Sequence, residues 1–92
     1  MIQWKDITSF SQHDKERIPT CFECKNGDMN IVVTCSHINY RGEWVMHCRA
    51  LGIDTLHMPT VKTYDEAKDR AVKIISKKLD RLVANLSDIE KL

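Results

Sequence analysis

Between residues 20 and 51 apolar positions alternate with polar ones, and beyond residue 63 they recur every three or four residues. The first period is that of a half-buried strand and the second that of an amphipathic helix. Three strand-like runs fill the first region, over 20–25, 29–38 and 43–51. The first ends at Asn26-Gly27-Asp28, a turn signal that tolerates positive φ, and the second ends at Asn39-Tyr40-Arg41-Gly42. Connections this short predict a three-stranded antiparallel meander. Alternation puts Phe22, Cys24, Ile31, Val33, Cys35, Trp44, Met46, Cys48 and Ala50 on an apolar face. Cys21, Glu23, Lys25, Val32, Thr34, Ser36, Val45, His47 and Arg49 fall on a mixed, open one.

The cover for the apolar face is a helix. Thr63 with Glu66 three residues later has the form of a capping box, and Ala67, Ala71, Ile74, Ile75, Leu79, Leu82 and Leu86 follow as one stripe. The helix is predicted over 63–86, with a break near Asn85 or an extension past the sheet as alternatives and 87–92 as a tail. Residues 52–62, with Pro59, read as a loop or an irregular edge strand. Residues 1–19 are a polar leader anchored by Trp4, Ile7 and Phe10, spaced for one or two helical turns or an irregular clasp; Pro19 ends it. The expected architecture is a single α+β domain: a three-stranded antiparallel sheet, one long C-terminal helix and an N-terminal clasp.

Composition narrows the function classes. At 92 residues, with 42% hydrophobic and 29% charged residues, the chain is an ordinary folded domain. A domain this small buries only about 60–65% of its unfolded surface, which argues against a deep catalytic cleft. No apolar run approaches the ~20 residues of a membrane span. Trp4, Lys5 and Asp6 precede any apolar block, so no export signal is read and a cytoplasmic chain is expected.

Four cysteines and four histidines raise a zinc reading. The candidate ligands are Cys21, Cys24, Cys35 and His37, followed by His47-Cys48. On a strand, Cys21 and Cys24 point to opposite faces, whereas a zinc knuckle needs both sulfurs converging on one metal. Buried, reduced cysteines are the preferred reading, and neither a metal nor any other cofactor is expected. Cys21 and His47 share the outer face, yet nothing marks a third group that would orient them as a nucleophile and base, and no glycine-rich phosphate loop is present. The chain is therefore expected to be non-enzymatic.

The formal charge of +1 conceals an uneven distribution. Residues 62–81 hold seven basic and four acidic side chains, a local +3 against −2 for the remainder. Arg70, Lys73, Lys77 and Arg81 form a ridge off the apolar stripe, flanked by Lys68 and Lys78. Such a ridge suits phosphates or an acidic protein surface, and pairs such as Asp69–Lys73 would instead make it an ordinary solvated face. Lys25, Arg49 and Arg41, the last at a hairpin tip beside Tyr40, add a second basic surface on the sheet.

The leader 4–12, the Gly27 hairpin into Ile31-Val32-Val33, the Gly42-Glu43-Trp44 turn and the Ala67/Ala71 helix together resemble small accessory proteins of phages and prophages, in particular anti-CRISPR proteins. The resemblance is one of layout and carries over no residue's role. It implies a non-enzymatic inhibitor that binds a type I CRISPR-Cas surveillance complex, through its protein subunits and guide RNA, and blocks target DNA binding. It would act in the host cytoplasm as a monomer or weak homodimer. Two other readings stand beside it: an autonomous nucleic-acid-binding module using the same ridge, and a structural phage protein that self-associates through Leu79, Leu82, Val83 and Leu86.

Overall fold

In a computed structural model, which describes residues 2–9 and 18–92, the chain is an α+β domain with an antiparallel sheet crossed on one face by a C-terminal helix. The sheet comprises β1 (Trp4–Asp6), β2 (Cys21–Asn26), β3 (Met29–Thr34), β4 (Val45–Cys48) and β5 (Ile53–His57), paired in chain order. Helix α1 spans Tyr64–Glu90. The predicted three-stranded meander is the centre of this sheet, and the correction to five strands comes at its two edges.

Both added strands answer the same physical need. A three-stranded sheet leaves rows of unpaired backbone N–H and C=O groups along its margins. On one margin residues 4–6 of the leader lie extended rather than helical, with Trp4 opposite Cys24 and Asp6 opposite Phe22. Thr8 locks it there: its Oγ1 accepts from the N–H groups of Thr20 at 2.9 Å and Cys21 at 3.0 Å, and donates to Asp6 Oδ1 at 2.5 Å. Ile7, expected as an anchor, is 39% exposed, and the predicted Phe10 anchor lies outside the described residues. On the other margin, the run over 43–51 stops early. Arg49–Leu51 tightens into a 3-10 turn ended by Gly52 at φ 69°, a left-handed conformation that glycine adopts without steric cost. The chain reverses, and residues expected in a loop become β5. A bulge interrupts this edge: Met46 pairs with Leu56 and Cys48 with Ile53, so Asp54 and Thr55 together oppose His47.

The apolar face is as the alternation predicts over most of its length. Phe22 opposes Val33, which opposes Met46. With Ile31, Trp44 and Cys48 these residues meet Met58, Val61, Ala67, Ala71 and Ile75 in the core. Ala50, assigned to this face, is instead exposed in the 3-10 turn. The helix is seated by its first residue. Tyr64 stacks on Phe22 at 3.7 Å between ring centroids and lies 6.3–6.4 Å from the rings of Trp4 and Trp44, so four aromatic rings from β1, β2, the residue before β4 and α1 share one contact.

Thr63 caps α1 by accepting from Glu66 N at 3.2 Å, but the Glu66 carboxylate reaches Lys62 N at 3.4 Å rather than the N–H of its own cap. The helix neither breaks at Asn85 nor stops at 86. It runs on to Glu90, and every residue from Leu79 onward is exposed. The Cα radius of gyration, 15.5 Å, exceeds the about 12 Å of a compact chain this long, because the second half of α1 projects as an arm.

The opposite face of the sheet is not open along its whole length, which corrects the sequence reading. Residues 35–43 fold back over one end of it, with Gly42 N donating to Cys35 O at 2.9 Å and Tyr40 stacked 4.5 Å from His57. In the row running Cys21–Thr34–Val45–His57, Thr34 is 7% and Val45 0% exposed.

Replacing Thr8 by Val leaves two N–H groups without their acceptor and is expected to cost about 1–3 kcal/mol, whereas Thr8→Ser retains the hydroxyl and most of the stability. Removing the Tyr64 ring by Tyr64→Ala is expected to cost about 2–4 kcal/mol. Thermal and urea melts followed by circular dichroism measure both; a Thr8→Val melt equal to wild type would remove Thr8 from its role as a lock.

Candidate interaction surface

The four ridge residues come together as predicted. Arg70, Lys73, Lys77 and Arg81 are all exposed, and helical geometry places them within an arc of about 80° along one flank of α1, off its buried stripe. The pair that would neutralise the ridge, Asp69–Lys73, is not made. Among the described residues the ion pair within α1 is Lys68–Asp65 at 3.5 Å, and Lys68 Nζ also sits 5.1 Å over the Tyr64 ring. Lys68 is thus held at the helix start. Lys78, counted with the ridge from sequence, is half-buried and lies on the side of the helix that carries Ala71 and Ile75. Next to the ridge, Val61, Glu66, Asp69, Arg70 and Lys73 line a shallow depression.

The other predicted cations do not extend this surface. Lys25 lies near the end of β2 on the far face of the sheet, 3.7 Å from Glu23, beside an open depression of about 380 Å³ lined also by Ile2, Gln3, Trp4 and Lys5. Arg41 is exposed at the tip of the loop over that face, and Arg49 is exposed in the 3-10 turn. The nine cations therefore divide into a continuous helical ridge of four and separate sites for the rest.

The cysteines are scattered by the fold. Cys24 is opposite Trp4 and Ile31 on the helix side, whereas Cys21 is opposite Thr34 on the other. Cys48 is buried, and Cys35 packs half-buried against the core edge. Burial pushes the thiols of Cys21 and Cys35 above the usual range, so both remain protonated and poorly nucleophilic at neutral pH. Cys21 on β2 and His47 on β4 are two strand spacings apart, about 10 Å, beyond hydrogen-bond reach. Among the described residues no three His, Cys, Asp or Glu side chains gather as a metal-binding group.

What sequence reasoning missed is the histidine cluster on the outer face. His37 in the loop lies 6.1 Å from His47 and 5.7 Å from Tyr40, and Tyr40 stacks on His57. Glu43 Oε1 is 3.1 Å from His57 Nε2. The β5 bulge turns the Asp54 carbonyl onto His47 Nδ1. A carbonyl only accepts, so neutral His47 carries its proton on Nδ1; His37 Nδ1 accepts from Asn39 N at 3.2 Å, so neutral His37 carries its own on Nε2. The two imidazoles thus hold opposite tautomers, and His37 would have to surrender its loop hydrogen bond to ligate a metal through Nδ1. Each of these contacts joins residues ten or more apart, apart from those within the loop and across the β4–β5 turn, and no local spacing announces them.

No protein-family model, curated protein or solved structure matches the chain.

Burial, with the nearby His37 as a lesser cause, holds the His47 imidazole below the 6.5 of an exposed ring. The unfolded chain therefore takes up a proton at a pH where folded His47 does not. The contribution of this site to stability is complete above pH 6.5 and is lost progressively as the pH falls below it. Urea melts between pH 7.5 and 5 are expected to show a smaller acid-induced loss for His47→Gln than for the wild type; equal losses would clear His47 as the cause.

Proposed function

We propose that this chain is a non-enzymatic binding protein that occupies a partner's surface through the basic ridge of α1. Its partner would be a guide-loaded ribonucleoprotein, specifically a type I CRISPR-Cas surveillance complex whose binding to target DNA it blocks. The observation that carries the reading is the unneutralised ridge: Arg70, Lys73, Lys77 and Arg81 are exposed along about three turns of helix, with no carboxylate among the described residues in ion-pair contact with any of them. Four cations at this pitch, about 16 Å from first to last, can follow a row of phosphates or an acidic groove.

Rigidity supports the same reading. The ridge stands on a helix clamped at its start by Tyr64 and along its first half by Ala67, Ala71 and Ile75. The cations are thereby presented with little backbone entropy to lose on binding. The loose grouping of thiols and imidazoles, with Cys21 and His47 on separate strands, favours a contact surface over a catalytic one. The specific partner rests on the layout resemblance to phage-encoded inhibitors.

Mixing the purified chain with a guide-loaded complex is expected to give stoichiometric association and loss of target DNA binding. Association should weaken at least about tenfold as salt rises from 50 to 200 mM. Lys73→Glu, Lys77→Glu and Arg81→Glu together are expected to abolish association while leaving the thermal melt near wild type, since exposed substitutions change stability by about 0.5 kcal/mol or less each. Undiminished association of the triple variant would exonerate the ridge. Tight binding to naked RNA or DNA without the complex would favour the autonomous nucleic-acid-binding module in its place.

A further inference from the structure

The projecting half of α1 carries a second surface, independent of the ridge. Val72, Ile75, Leu79, Leu82, Leu86 and Ile89 recur at alternating intervals of three and four residues, the spacing of a seam that packs against another helix. The sheet takes up one early member of this seam, burying Ile75, while Val72 stays 45% exposed. From Leu79 onward the same seam emerges into solvent, with Leu79, Leu82, Val83, Leu86 and Ile89 between 37 and 66% exposed. The geometry points to a second copy of this chain as its occupant, docked antiparallel through residues 79–90.

Three observations commit the seam to that occupant. First, the alternating three–four interval is narrower than the broad apolar face of a membrane-surface helix and matches a helix of equal pitch. Secondly, the exposed apolar patch is on the order of 500 Å², the size at which patches mark interaction sites. Covered twice in a symmetric pair, it yields about 1,000 Å², the lower limit for a specific interface. Thirdly, the fold dictates the direction. Each sheet sits on the seam side of its own helix, so a parallel mate would place two sheets in one volume, whereas an antiparallel mate places each sheet beyond the other helix's end. With Leu82 facing Leu86 of the other copy, Leu79 faces Ile89, and Val83 and Asn85 each approach their own symmetry mates near the centre. The ridge points away from this seam, so pairing leaves both ridges free on opposite sides.

Sedimentation equilibrium over rising protein concentration is expected to show the mass moving from 10.7 kDa to twice that value, with a dissociation constant in the micromolar range. Leu82→Glu and Leu86→Glu, both exposed in the monomer, should weaken association at least about tenfold and leave the circular dichroism melt of the dilute protein unchanged. A mass that stays at 10.7 kDa up to millimolar concentration, or association undiminished in both variants, would overturn the proposal. So would a monomer that binds anionic phospholipid vesicles through these leucines. Direction is read by lysine cross-linking of a mixture of ordinary and nitrogen-15-labelled chains. An antiparallel pair joins Lys78 of one copy to Lys91 of the other, whereas links confined to Lys78–Lys78 and Lys91–Lys91 would overturn the antiparallel arrangement.

Discussion

The contact between the Tyr64 ring and Phe22 is where the two halves of this fold meet. A helix and a small sheet each expose an apolar surface that cannot persist alone, and their relative placement depends on where the first turn of the helix lands. Tyr64, the first residue of α1, brings a large flat ring to Phe22 on β2, with Trp4 and Trp44 alongside. Burial pushes its phenol upward in pKa, so it remains a neutral aromatic surface at physiological pH. From that point the helix is aimed along the sheet by Ala67 and Ala71, whose small side chains allow close approach. Everything further along α1, ridge and seam alike, inherits its direction from this contact.

The sheet is assembled from a stable centre and two dependent margins. β2 and β3 form a tight hairpin in which Gly27, at φ 59°, is the sole described residue of the turn with positive φ. The margins are held by different devices. A hydroxyl with two amide donors ties β1 to the start of β2, and a bulge with a histidine tie joins β4 to β5. The loop over 35–43 then covers Thr34 and Val45, so this small domain gains a second buried region on a face that alternation alone assigns to solvent.

The arm follows from a mismatch of lengths. Strands of three to six residues give a sheet too narrow for a helix of 27 residues, and the apolar stripe does not end where the sheet does. The outcome is a helix with two exposed surfaces on opposite sides, one cationic and one aliphatic. The sheet buries Ile75 of the seam and leaves the members from Leu79 onward, like the four ridge cations, exposed.

Much of this was legible in the residues themselves. The α+β class, the central meander, the Thr63 cap, the apolar face and the burial of Trp44, Met46 and Cys48 all follow from local period and capping chemistry, because strand and helix periods act over a few neighbouring residues. So does the ridge, whose members are fixed relative to one another by helical pitch. The edge strands were not legible. Residues 4–6 and 53–57 have short, weakly alternating patterns and become strands because the sheet's margins offer unpaired backbone groups. The outer-face cluster of His37, Tyr40, His47 and His57 was equally hidden, since it joins a loop to two strands. Periodicity determined which residues share a face of each element. Only the tertiary structure decided which faces were covered, because that depends on the lengths and meeting points of elements distant in the chain. The seam's emergence past the sheet is decided at that level.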